Sequence, residues 1–372
     1  MGDESSGLTP VDQSKLSLSS AKVTAAGIPA VISSAVHSMK KMGVGKTVKT
    51  LRMVNQKEGF DCPGCAWPDP EHRSSFEFCE NGAKAVADEA MKANVNAEFF
   101  AKYSIAELAG KSDYWLNSQG RIAEPMYASK QDSHYQPISW SDALVKIADK
   151  LRSLNSPDNA AFYTSGRTSN EAAFLYQAFV RMYGTNNLPD CSNMCHESSG
   201  KALTSTIGIG KGTINLDDFN YADTILVIGQ NPGTNHPRML TALRDAKDNG
   251  AKIIHINPLT ETGLIRFKHP QDYMKLNFSS TKLSDVHIPI KIGGDAALFK
   301  AINKLIIDSG NLDEEFITRK TKGYEEYRAS LDSLEWDRVV TDTGISQTTI
   351  EGVAKLLIDS KTVISCWAMG LT

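Results

Sequence analysis

The run Cys191-Ser192-Asn193-Met194-Cys195-His196-Glu197 sets a thiol directly before an imidazole. A thiolate is a soft ligand for a transition metal, and a neighbouring imidazole can take up a proton. Glycine-punctuated stretches flank the pair, Gly184-Thr185-Asn186-Asn187 before it and Gly208-Ile209-Gly210-Lys211-Gly212 after it. Three residues separate Cys191 from Cys195, which excludes a c-type haem attachment, where two are needed. Taken alone, the pair reads equally as a small buried hydrophobe beside a loop histidine. A second group lies nearer the N-terminus. Cys62, Cys65 and Cys79 share a Pro-rich stretch, 57–82, with little periodicity, which suits a small metal-supported unit. With His72, these cysteines could also form a structural zinc site. Cys366 falls in an apolar run and reads as core.

Such residues need a scaffold. The chain has 372 residues, enough for two or three domains, and its 41% hydrophobic and 22% charged content is that of a folded chain. A net charge of −3 gives no electrostatic case for nucleic acid. No run of about 18 apolar residues exists to span a membrane. The polar, acidic start has no basic region, apolar stretch or twin arginine, so a cytoplasmic location is expected. Six cysteines in such a chain point to metal or redox chemistry rather than a disulfide framework.

Residues 1–56 read as a Ser/Thr-rich tail followed by a basic helical segment. Gly43-Val44-Gly45-Lys46-Thr47 is not a P-loop, because the first glycine of that motif would fall at Lys40 and no strand precedes it. Residues 83–110 read as helix. From Pro137 the pattern becomes regular. Ser139 or Ser141 can cap a helix through Ala143, Leu144, Ile147 and Leu151. Apolar runs at 160–163, 224–228, 252–256, 286–290 and 363–367 read as strands, and amphipathic helices are expected at 170–183, 237–249, 295–309 and 348–359. Alternation of this kind predicts an α/β fold with a mainly parallel sheet covered on both faces. In such sheets ligands sit beyond the carboxyl ends of the strands. Four strand ends carry small or polar turns: 163–166, Gly229-Gln230-Asn231, Asn257-Pro258 and Gly293-Gly294-Asp295. Together they favour a large, phosphate-bearing cofactor, although no GxGxxG fingerprint is present.

These residues resemble the molybdopterin oxidoreductases, and most closely the alpha subunits of formate dehydrogenases. The resemblance runs in the family's order through Pro137-Ile138-Ser139-Trp140, Thr164-Ser165-Gly166-Arg167, Gly184-Thr185-Asn186-Asn187, Cys195-His196, Ala222–Pro232, Asn257-Pro258, Gly293-Gly294-Asp295 and Trp367-Ala368-Met369-Gly370. It covers roughly residues 57 to 372. It implies an iron–sulfur-type domain over 57–136 and Rossmann-like molybdopterin-binding domains over 137–372, incomplete at the C-terminus. The implied cofactor is Mo-bis(molybdopterin guanine dinucleotide), and the implied reaction is two-electron oxidation of formate or a similar small substrate. Cys195 matches the molybdenum ligand and His196 the histidine that assists proton removal. Gly229, Gln230, Asn231, Asn257, Gly293, Asp295 and Met369 match stretches that line the pterins.

The resemblance further implies an iron–sulfur cluster, [4Fe–4S] in type, through which electrons would leave to an acceptor protein. Cys62, Cys65 and Cys79 match its ligands, but Asp69 stands at the third cysteine place. A cluster with Asp69, a [3Fe–4S] cluster or none therefore all remain open. The family's relay lysine is Asn81 here, with Lys84 nearby. The other readings of the whole chain are a truncated, non-catalytic member and a zinc-supported binding module.

Overall fold

The structure is a computed structural model, and it describes residues 20–65, 67–164, 168–189, 195–272, 279–368 and 371. The chain forms two compact units that interleave in sequence. One is built from residues 34–64 and 81–195, the other from 22–33, 65–80 and 196–372. The expected boundaries at 56 and 136 both fall inside the first of these, and residues 65–80 belong to the second. The stretch 57–136 is thus not a body of its own.

In the second unit, four parallel strands make one sheet. They are β1 (Thr224–Ile228), β2 (Lys252–Ile256), β3 (Val286–Ile288) and β4 (Val363–Trp367), in the order β4-β1-β2-β3. The registers Thr224↔Lys252, Val363↔Thr224 and Ile254↔Val286 bring the carboxyl ends of β1, β2 and β4 level. All five residues of β1 are buried, as expected of a parallel strand covered on both faces. Its side chains divide by alternation. Ile225 and Val227 pack with Leu240 and Leu243 of one helix, Met239–Asp248. Leu226 and Ile228 pack with Leu298 and Ile302 of a second, Asp295–Asp308, and with Ile350 and Val353 of a third, Gln347–Ile358. Each such aliphatic side chain contributes about 1.5–3 kcal/mol by leaving water, so these two layers hold the sheet.

The first unit is assembled from short elements. Helices α1 (Gly27–Met42, whose first turns belong to the other unit) and α2 (Val44–Leu51) lead into it. Helices α3 (Trp140–Arg152) and α4 (Asn170–Tyr183) are its longer later members. Val95, Phe100 and Leu108 form a small aromatic-rich core with Phe99, Tyr103 and Trp115 packed on it.

Three expected elements differ. The helix expected over 83–110 is broken into Glu80–Glu89, Ala97–Lys102 and Ile105–Ala109. Asn96 accepts from Phe99 N–H and Ser104 forms a capping box with Glu107, so each side chain starts a new helix. The strand expected at 160–163 pairs with no sheet among the described residues. Phe162 N–H instead donates to Asn187 O at 2.9 Å, and the Asn187 amide donates to Asp158 O and Ala160 O. The strand expected over 286–290 ends at Ile288, because Pro289 has no N–H to continue the ladder.

For the remaining helices, labels continue in chain order: α5 (Glu197–Ile207), α6 (Met239–Asp248), α7 (Asp295–Asp308) and α8 (Gln347–Ile358).

Candidate active site

Beyond the carboxyl ends of β1, β2 and β4, polar side chains tie the strand ends together. Gly229 follows β1 with φ 59°, a left-handed conformation that suits glycine, and its N–H donates to Ile256 O at 2.8 Å. The next residue, Gln230, is buried, and its Nε2 donates to Trp367 O at the end of β4, 3.0 Å away. Asn257, buried at the end of β2, donates through Nδ2 to Gln230 O at 3.1 Å and to Asn231 Oδ1 at 3.2 Å. Its Oδ1 accepts from Leu259 N–H at 2.9 Å. The structure therefore brings Gly229, Gln230, Asn231 and Asn257 into one hydrogen-bonded group.

A cavity of about 390 Å3 opens beside this group, within the sheet unit. His196, immediately before α5, lines it together with Gln230, Trp67, Lys211, Cys366 and Trp367. Cys366 packs against the core and also faces the cavity, so the core reading was half of its position. Burial pushes its thiol up to about 12, so it is a neutral thiol at physiological pH and no nucleophile. Trp67, Lys211 and Trp367 were not singled out as site residues. The glycine-rich stretch around Lys211 was the available signal for one of them.

The chemistry of the cavity fits a pterin. Gln230 Oε1 is buried and has no hydrogen-bond partner, although an unpaired buried acceptor is costly. Its residue lines the cavity, and the partner that this oxygen lacks is an N–H donor of the kind a pterin ring carries. Cys195, half-buried, directly precedes His196 in the chain, and Cys191–Met194 lie outside the described residues. Gly293 (φ 86°), in the turn between β3 and α7, and Asp295, the first residue of α7, do not line this cavity. Desolvation pushes the Asp295 carboxyl above the usual range, against the pull of a backbone hydrogen bond. Met369 lies outside the described residues.

The N-terminal cysteines are each half-buried. Cys62 N–H donates to Asn55 Oδ1 at 2.7 Å, and its Sγ accepts from Gly64 N–H at 3.3 Å. Among the described residues, no three His, Cys, Asp or Glu side chains gather as a metal-holding group. Asp69 stands between two basic side chains. Its Oδ1 lies 2.8 Å from Arg238 Nη1, a charge contact without hydrogen-bond alignment, and its Oδ2 lies 3.5 Å from Arg73 Nη2.

Comparison with known proteins gives this site its family. The family model described as molybdopterin oxidoreductase matches residues 121–372. The chain belongs to the molybdopterin oxidoreductase family. An uncharacterised oxidoreductase of Mycobacterium tuberculosis (strain ATCC 25618 / H37Rv) is 50% identical over 98% of this chain and 48% of its own length. Protein YdeP of Escherichia coli (strain K12) is 45% identical over 96% of this chain and 49% of its own. Formate dehydrogenase H of the same strain is 29% identical over 68% of this chain and 34% of its own. This molybdopterin oxidoreductase chain thus spans about half the length of the curated relatives it matches. Its fold is similar to that of acetylene hydratase from Pelobacter acetylenicus, with TM-score 0.56 and 21% identity over 67% of this chain and 32% of that one. No helix among the described residues is long and apolar enough to cross a membrane.

Proposed function

We propose that this chain carries part of the catalytic centre of a molybdenum enzyme that oxidises formate or a similar small substrate by two electrons, with Mo-bis(molybdopterin guanine dinucleotide) as cofactor. The observation that carries the reading is the strand-end cavity, lined by His196, Gln230 and Lys211 and set beside the hydrogen-bonded group of Gln230, Asn231 and Asn257. The family membership and the name of the relative formate dehydrogenase H support it.

When bound, the molybdenum centre supplies the two-electron acceptor. Cys195 is the protein ligand in this reading, since a metal holds its thiol as thiolate. His196 accepts the substrate proton at its neutral imidazole, which leaves carbon dioxide, one proton and two electrons from formate. Gln230 and Asn231 orient the pterin. Lys211 brings a positive charge to the cavity and favours an anionic group there. Cys62, Cys65 and Cys79 remain the thiolates for an iron–sulfur group.

The test compares the 372-residue chain with its Cys195→Ala variant, each produced in a host that makes the cofactor. The unmodified chain is expected to retain molybdenum and the variant to lose it, as measured by metal analysis of the purified proteins. Equal molybdenum in both overturns the assignment of Cys195.

A further inference from the structure

We propose that Asp69 is the buried counter-ion of Arg238 rather than a metal ligand, and that Arg238 is the positioning residue that clamps segment 65–80 against the start of α6. Arg238 Nε and Nη2 both donate to Glu77 Oε1, at 3.1 and 2.9 Å, while Nη1 faces Asp69 Oδ1 at 2.8 Å. All three side chains are largely buried, with 11% exposure for Arg238 and 16% for each carboxylate. Glu77 Oε2 in turn accepts from the N–H and hydroxyl of Ser74, which fixes the turn between them. Arg73 pairs with the other oxygen of Asp69.

Two further contacts anchor the same segment. Trp67 stacks on His236, with ring centroids 6.0 Å apart and planes 6° from parallel, two residues before Arg238. Phe76 O accepts from Gln271 Nε2. The segment is thus held at Trp67 and Phe76 as well as through the two carboxylates, Asp69 and Glu77, that Arg238 joins. What the clamp holds is the cavity wall, because Trp67 and Pro68 line the cavity.

The same geometry argues against iron at Asp69. Asp69 already holds a guanidinium at each oxygen, Arg238 at Oδ1 and Arg73 at Oδ2, so a metal on this carboxylate would have to displace one of them. Moving Asp69 to a metal would also strip Arg238 of one of its two counter-ions in a dry site, a costly change.

The experiment uses the full 372-residue chain, prepared anaerobically with ferrous iron and sulfide, with Asp69→Asn, Arg238→Met and Arg238→Lys beside the unmodified protein. Two quantities are read: iron and acid-labile sulfide per chain, and the rate of tryptic cleavage after Arg73. Asp69→Asn is expected to leave iron and sulfide unchanged while cleavage accelerates about ten-fold, as the segment opens locally. Arg238→Met should accelerate cleavage similarly, and Arg238→Lys, which keeps a charge between the carboxylates, should return the rate most of the way. Loss of iron or sulfide in Asp69→Asn overturns the proposal, and so does cleavage at Arg73 that no variant alters. A chain that takes up no iron leaves Asp69 with the clamp alone, and proteolysis then decides. None of these readouts depends on molybdenum, so the catalytic reading can fail without this one.

Discussion

His196 occupies the wall of the cavity and the N-cap position of α5, where its side chain makes no capping hydrogen bond. Its backbone carbonyl opens the helix by accepting from Gly200 N–H, which leaves the imidazole available to a ligand. Replacing it with glutamine keeps a polar side chain of similar reach but removes the proton acceptor. His196→Gln is expected to retain molybdenum while turnover falls by about 10²–10⁴, the usual contribution of one acid–base group. Metal analysis and dye-linked formate oxidation on the same sample check this, and normal turnover would reduce His196 to a loop residue. At this scale the sequence carried a good part of the site. The Cys195-His196 pair and the Gly229-Gln230-Asn231 turn are contiguous, so their chemistry is visible in the linear order. Trp67, Cys366 and Trp367 come to the cavity from stretches hundreds of residues apart, and no local pattern says which strand face will meet it.

The sheet imposes its own pH dependence. His255 on β2 is almost fully buried, its ring stacked on His287 of β3 with centroids 4.9 Å apart. Burial, and then the charge of His287, pull its pKa from 6.5 to about 4, while a backbone hydrogen bond from the Gln230 region opposes them. The unfolded chain takes up this proton near the ordinary value, and the folded chain only near 4. Stability is therefore full above pH 6.5 and declines as pH falls toward 4, since the unfolded state then binds more protons. The loss is on the order of 3 kcal/mol for a shift of this size. Burial lowers His236 and His269 as well, which adds to the same slope. Urea denaturation at pH 7 and at pH 4.5 should show the decline, and His255→Gln should flatten it. An identical decline in that variant would place the dependence elsewhere. The strands that create this environment were legible because β1 runs Ile-Leu-Val-Ile after Thr224 and β2 carries isoleucine at three of its five positions. The stretch Ala160-Ala161-Phe162-Tyr163 is also apolar, but the side-chain amide of Asn187 and its backbone carbonyl capture it. Such long-range competition for backbone groups leaves no periodic signal.

On the scale of the whole chain, helical periodicity told that α3 has an apolar face but not what covers it. Ser139 caps α3 as expected, yet none of its residues is buried. Trp140, Leu144 and Ile147, spaced to share one face, are 70%, 59% and 56% exposed. In the same unit, Phe174, Leu175 and Met182 of α4 are also exposed. Single exposed hydrophobes are ordinary, but two helices offering rows of them are not. The curated relatives are about twice as long as this chain, so they contain further residues with which such faces can pair. The 372-residue chain alone is accordingly expected to bind a hydrophobic dye such as ANS and to self-associate at micromolar concentration. Leu144→Lys combined with Ile147→Glu should lower both signals without loss of the folded transition, because neither side chain is part of a buried core. Light scattering and dye fluorescence across a dilution series measure this. A monodisperse monomer that leaves the dye dark would mean that these helices are stable with their apolar sides in water.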